Sequence, residues 1–220
     1  MSESVDQQDV ITPFTGGGTA KNNQLLYAAG DVIVWLAPQN SAGPVTGFED
    51  PSTLTPKYVN CGWVDTSGYI FKLDETIKDI PAAGTLTPIR TILTGGTKSL
   101  QCTFLEALNP YVLALYDNTP VFPVTGMAQK AASVTPFIAS YVIPDPPGDN
   151  RYAAIFDSDD GIKQMRLWAP NIKVTARGNN QVQQADLTTT DLTFTFYPGT
   201  GNVVAKRYID YGQNVDTYFT

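Results

Sequence analysis

Short apolar runs with a two-residue period, broken by proline, glycine and asparagine, recur along this chain and predict a mainly β protein. DVIVWLAP (31–38) is almost continuously apolar and β-branched, as a buried strand would be, and Pro38 ends it. The clearest alternation is in PIRTILTGGTKSLQCTFLEA (88–107). There Leu100, Cys102 and Phe104 fall on one face, and Thr97, Ser99, Gln101 and Thr103 on the other. Such a segment has one side on a core and one on water. Gly95 and Gly96 divide it into two strand-like halves and predict a tight hairpin turn. DLTFTFYP (191–198) repeats the pattern, with Leu192, Phe194 and Phe196 opposite Asp191, Thr193 and Thr195. Further strands are expected at 137–143, 151–156, 165–170 and 171–176.

Helical spacing is confined to one short segment. Asn109 is a good N-cap, Pro110 suits the first helical position, and Tyr111, Val112, Leu115 and Tyr116 form a stripe. Residues 38–57 carry Pro38, Pro44, Pro51 and Pro56 with Gly43 and Gly47, which predicts a long loop of the kind that serves function or interfaces. Residues 1–25 are polar, with Gly16, Gly17 and Gly18, and read as a flexible arm that orders only on a surface. In GWVDTSGYIFKLDETIKDIPAAG (62–84), residues 65–68 have turn chemistry, and a return strand is expected from Tyr69. Many short strands with one helix give an antiparallel β-sandwich or barrel with one flanking helix.

Charge narrows the function. With 14 basic and 21 acidic residues, the 220-residue chain has a net charge of -7, which argues against specific binding of nucleic acid. It contains no histidine. That removes the commonest general base, metal ligand and nucleophile activator at once. Cys61 and Cys102 are too few for a zinc site. Two buried thiols are the plainer reading, and a disulfide between them is the alternative. The N-terminal MSESVDQQDV has neither a basic nor an apolar signal region, and no apolar run approaches the ~18 residues of a spanning helix, so no membrane anchor is expected.

Several stretches approach known chemistry and fall short. FDSDDGIKQMRLW (156–168) has Trp168 where a calcium loop needs glutamate, so Asp160 and Gly161 read as a hairpin turn. GGTKS (95–99) lacks the glycine before lysine and the following helix of a phosphate loop. The acids Asp74, Glu75 and Asp79 sit in an extended segment, where neighbours point to opposite faces. Asp74 and Glu75 therefore cannot act as a catalytic pair, and Asp79 shares only Glu75's face. A charged subunit edge is the better reading. No cofactor, metal or enzymatic activity is expected.

The succession GWVDTSGYIFKLDETIKDI, RTILTGGTKSLQCTFLE and ALNPYVLALY, followed by LWAPNIKVTARG and DLTFTFYP, resembles the major tail tube proteins of long-tailed bacteriophages. The likeness is greatest to those of phages with non-contractile tails that infect actinobacteria. It covers residues 26–205, between the N-terminal arm (1–25) and a C-terminal segment (206–220). The resemblance implies a β-sandwich protomer whose inner sheet joins five others in a hexameric ring, with rings stacked into a tube. Such a tube would surround a tape-measure protein, meet a tail terminator and distal tail or baseplate proteins, and pass double-stranded DNA without binding it specifically. It would be built in the host cytoplasm and end in the virion.

On that reading Thr97, Ser99, Gln101, Thr103, Asp191, Thr193 and Thr195 line the lumen, while Asp74, Glu75 and Asp79 lie at a subunit edge. The arm at 1–25 and the loop at 38–57 would make contacts between rings. Six copies at -7 would give roughly -42 per ring, a potential that repels DNA. Other virion proteins, such as a tail terminator or a capsid decoration protein, are the main alternative. A carbohydrate-binding module built on Trp35, Trp63 and Trp168 is a weaker one, since tryptophans within strand patterns are expected in the core.

Overall fold

The computed structural model describes residues 26–39, 45–55, 57–81, 87–120, 142–143, 145, 148–180, 182 and 186–212. The described elements are β1 (Asp31–Pro38), β2 (Val59–Ile80), β3 (Arg90–Phe104), α1 (Pro110–Tyr116), β4 (Tyr152–Asp159), β5 (Gln164–Arg177), β6 (Thr190–Phe196) and β7 (Lys206–Asp210). All strand pairs are antiparallel, in the order β4-β1-β2-β3-β6-β5-β7, and β4 also pairs with β5. The sheet therefore closes into a six-stranded barrel, with β7 alongside the first half of β5. Closure removes the edges that an open sheet would expose.

The barrel interior is aromatic and aliphatic. Phe156 packs against Phe194 and Phe196 at ring-centroid distances of 5.9 and 6.0 Å, and Leu36, Leu100, Phe104, Ile172 and Leu192 are fully buried. Helix α1 adds Val112 and Leu115 to this cluster. Its N-cap works as the spacing predicts, with Asn109 Oδ1 accepting from the Tyr111 N–H at 3.0 Å. A second cluster lies outside the barrel, where Ala37, Ile155 and Trp168 meet Val45 of the proline-rich loop and Tyr58 just after it. The unbroken apolar run of β1 is thereby explained. Val34 and Leu36 face the interior, while Trp35 and Ala37 face the second cluster.

Arg166 holds that loop down. Its guanidinium makes two bonds to the Asp157 carboxylate, at 2.7 and 2.8 Å, and donates to the carbonyls of Gly47 and Glu49 at 3.1 and 2.7 Å. The Trp168 indole N–H donates to the Tyr58 hydroxyl at 3.0 Å, and the Tyr208 hydroxyl to the Val45 carbonyl. At least this part of the loop packs on its own barrel.

Several local expectations are corrected. Residues 65–68 do not reverse the chain: β2 runs through them as a bulge, its register passing from Val64 opposite Phe104 to Tyr69 opposite Cys102. The Asp65 carboxylate accepts from the Ser67 N–H and hydroxyl, so the turn chemistry is present but serves a barrel corner. Gly95 and Gly96 are no hairpin turn either. They lie inside β3, opposite Thr76 and Glu75, beside a bulge that leaves Thr94 unmatched, and the chain reverses between Ile80 and Arg90. A pair of glycines tolerates a bulge as readily as a turn, and the length of ladder gained on either side decides between them.

The strands expected at 165–170 and 171–176 are one strand, β5. Pro170 lacks an N–H and sits where the β4–β5 register shifts, so the ladder passes it without a lost bond. Strand β7 falls in the segment that was separated at 206, and joins the sheet instead. Of the strand expected at 137–143, residues 137–141 lie outside the described residues, and Val142 and Ile143 are not in a strand. The arm at 1–25 also lies outside them.

Candidate functional site

The two hydroxyl-rich stretches meet. β3 and β6 pair with Ser99 opposite Thr195, Gln101 opposite Thr193 and Thr103 opposite Asp191, so six of the seven polar residues form one cross-strand ladder on the barrel's outer surface. Leu100, Cys102, Leu192 and Phe194 on the alternate positions are buried. The Thr103 hydroxyl donates to the Asp191 carboxylate at 2.6 Å, and the Thr195 and Thr175 hydroxyls lie 2.7 Å apart. Thr97, the seventh, continues the face beyond the end of β6 and stands opposite Asp74.

The face is wider than the alternation within β3 and β6 reveals. On one side β2 contributes Ile70 and Lys72, opposite Gln101 and Ser99, and on the other β5 contributes Lys173, opposite Thr195. Parity along β2 carries the signal for Lys72 once its register is known. Alternation in NIKVTA sets Lys173 and Thr175 opposite the buried Ile172 and Val174, but only the β5–β6 register brings them beside the ladder.

The charges on this surface differ from the expectation. Lys72, Lys78, Arg90 and Lys173 share it with Asp74 and Asp191, so the face is mixed in sign and the chain's acidic excess lies elsewhere. Lys173 is neutralised locally: its ammonium lies 2.7 Å from Asp149, and Lys173 and Arg151 together hold the Asp149 carboxyl below its ordinary range. A repulsive potential inferred from net charge does not belong to this wall.

The acidic segment splits as alternation requires. Asp74 stands on the polar face, while Glu75 and Asp79 stand on the reverse, where Asp79 accepts from the Thr91 hydroxyl at 3.0 Å. All three are exposed. The cysteines are both buried and unbridged, and burial pushes both thiols well above their ordinary value. The tryptophans do not behave alike. Trp168 is buried and Trp35 half-buried, but Trp63 is 71 % exposed, against the expectation that all three serve the core. Its backbone N–H donates to the Glu106 carboxylate at 3.1 Å, next to Gly62, which has a positive φ.

Among the described residues no cluster of three or more Cys, Asp or Glu side chains has the geometry to hold a metal ion. A cleft of about 230 Å³ beside Asp31, Asp159 and Phe48 has as its wall the ion pair of Asp157 with Arg166, which already fixes the loop.

The described strands thus form a closed antiparallel barrel that carries a polar face of mixed sign, with two strands running past its rim. The phage tail tube protein family matches residues 19–211, and the chain belongs to this family. It is a structural component of a phage tail. Among curated proteins none matches the chain in sequence. Among solved structures, a mutant of the Hcp1 protein from E. coli EAEC 042 is similar at 12 % identity, over 82 % of this chain and 97 % of its own. The TM-score of 0.27 is too low for that likeness to carry an argument.

Proposed function

We propose that six copies of this chain close a ring, that the rings stack into the tail tube, and that the β3–β6 ladder with its β2 and β5 flanks is the lumen wall. The observation that carries this reading is the ladder itself: hydroxyl, amide and hydroxyl-bonded carboxylate side chains run across two paired strands with no apolar interruption. A surface of that kind is well hydrated and offers a passing duplex little to adhere to. Because the wall is mixed in sign, easy passage rests on weak neutral contacts and on locally paired lysine rather than on a strong repulsive field.

A tape-measure protein would fill this lumen during assembly in the host cytoplasm, with a tail terminator and distal tail or baseplate proteins at the two ends. The tail would be of the non-contractile kind, as in the phages of actinobacteria whose tube proteins the sequence resembles. The role is architectural, without catalysis or cofactor. Purified protein at high concentration should form hollow tubes or six-fold rings in negative-stain microscopy; a persistent monomer or trimer would favour a decoration protein. In the phage, Gln101→Lys adds one cation per subunit at mid-ladder. It should slow DNA ejection at unchanged tube length, and unaltered ejection would remove Gln101 from the lumen.

A further inference from the structure

The tip of the β4–β5 hairpin carries Asp160-Gly161, the one Asp–Gly pair of the chain, which has no Asn–Gly pair. Aspartate is chemically weakest before glycine, because no side chain hinders attack by the glycine nitrogen. In that attack the Gly161 backbone nitrogen bonds to Asp160 Cγ, and its proton and the Cγ hydroxyl leave as water. A second water opens the resulting succinimide at either carbonyl, giving aspartate or isoaspartate. The reaction needs only water, and the tip is open to it. Ile162 is 75 % exposed, and nothing lies within 4 Å of where a Gly161 Cβ would stand.

The reacting groups, however, are held apart from their chemistry. The Gly161 N–H donates to Asp159 Oδ1 at 2.5 Å, and Asp159 Oδ2 accepts from the Gln164 side-chain amide at 2.9 Å. Attack requires the nitrogen to give up that proton, and a carboxylate so placed retains it through a charge-assisted bond. Asp160 Oδ1 accepts from the Ile162 and Lys163 N–H groups at 2.9 and 2.6 Å, which fixes the side chain over the residues that follow it. We propose that Asp160-Gly161 is a latent site of spontaneous isoaspartate formation, held closed by Asp159, with Gln164 positioning Asp159. Isomerisation would add a methylene to the backbone of the tip and displace the carboxylate that bonds Ile162 and Lys163. The damage would spread, because the Lys163 ammonium donates to the Leu26 carbonyl at 2.6 Å and the Gly30 N–H to the Asp159 carbonyl at 2.7 Å. This inference does not depend on how copies of the chain assemble.

Prolonged incubation in mildly acid buffer tests it, with isoaspartate at position 160 quantified by peptide mapping. The full chain is compared with a synthetic peptide of residues 156–166, which has the same chemistry without the hairpin. Isoaspartate should accumulate in the folded chain at least roughly tenfold more slowly, equivalent to about 1.4 kcal/mol on the barrier. Asp159→Ala should recover most of that factor. Gln164→Ala, which leaves the Asp159 carboxylate in place but unheld, should recover part of it. Gly62→Ala, which strains the barrel at a site outside the hairpin, should leave the rate unchanged and so separates local release from general loosening. A folded chain that isomerises as fast as the peptide would overturn the proposal. So would an Asp159→Ala protein as slow as the wild type, or equal acceleration by Asp159→Ala and Gly62→Ala.

Discussion

Replacing Arg166 by methionine should release the proline-rich loop from the barrel without touching the β3–β6 ladder, because Arg166 pairs with β4 and β7. The Arg166 side chain is 5 % exposed and Asp157 is 21 % exposed. Methionine keeps much of the aliphatic volume but deletes both bonds to Asp157 and both to the Gly47 and Glu49 carbonyls. Breaking a buried ion pair from one side costs about 3–5 kcal/mol, because the remaining charge stays desolvated. Asp157 retains some water, which places the expectation near the lower end, about 3 kcal/mol. For a domain of this size that corresponds to a fall in Tm of about 6–12 °C.

Urea unfolding of the wild type, Arg166→Met, Asp157→Asn and the double variant would measure it, with unchanged m as the check on two-state behaviour. The double variant should recover part of the loss, with a coupling of about 1–3 kcal/mol. Amide exchange should rise at 45–50, where the loop meets Arg166, and not in β3. A loss below about 1 kcal/mol, or additive single changes, would refute the assignment of Arg166 as the anchor of this loop.

Two further outcomes follow from local geometry. Gly62→Ala should destabilise by about 1–3 kcal/mol, since φ is +86° and the new Cβ would lie 2.3 Å from the Glu106 carboxyl carbon. Gly161→Ala, with a similar φ of +88° and open space around it, should cost only about 1 kcal/mol, so that equal losses would remove the clash from the explanation. Cys61 and Cys102, buried with their thiols pushed up, should react with a thiol reagent only as fast as the protein opens globally, and one rapidly titrating thiol would contradict their burial.

Local rules were enough for much of this protein. Alternation in 99–104 and 191–196 separated the buried Leu100, Cys102, Phe104, Leu192, Phe194 and Phe196 from the polar positions between them, because a two-residue period maps directly onto the two faces of a sheet. Asn109 and Pro110 announced the helix, since a cap is satisfied within a few residues of itself. The same parity separated Asp74 from Glu75, which stand on opposite faces of β2. Tertiary structure decided the rest. Whether 65–68 and the two glycines at 95 and 96 turn the chain or bulge it depends on which strand lies alongside, and that is set by pairing energy summed over the long β2–β3 ladder. Burial of both faces of β1, the place of β7, and the lysines that make the polar wall mixed in sign all depend on neighbours distant in sequence. Nor does any periodicity distinguish the exposed Leu73, Ile77 and Leu93 from core residues. Their pattern is that of a buried strand face, and among the described residues β6 ends at the barrel rim before reaching them.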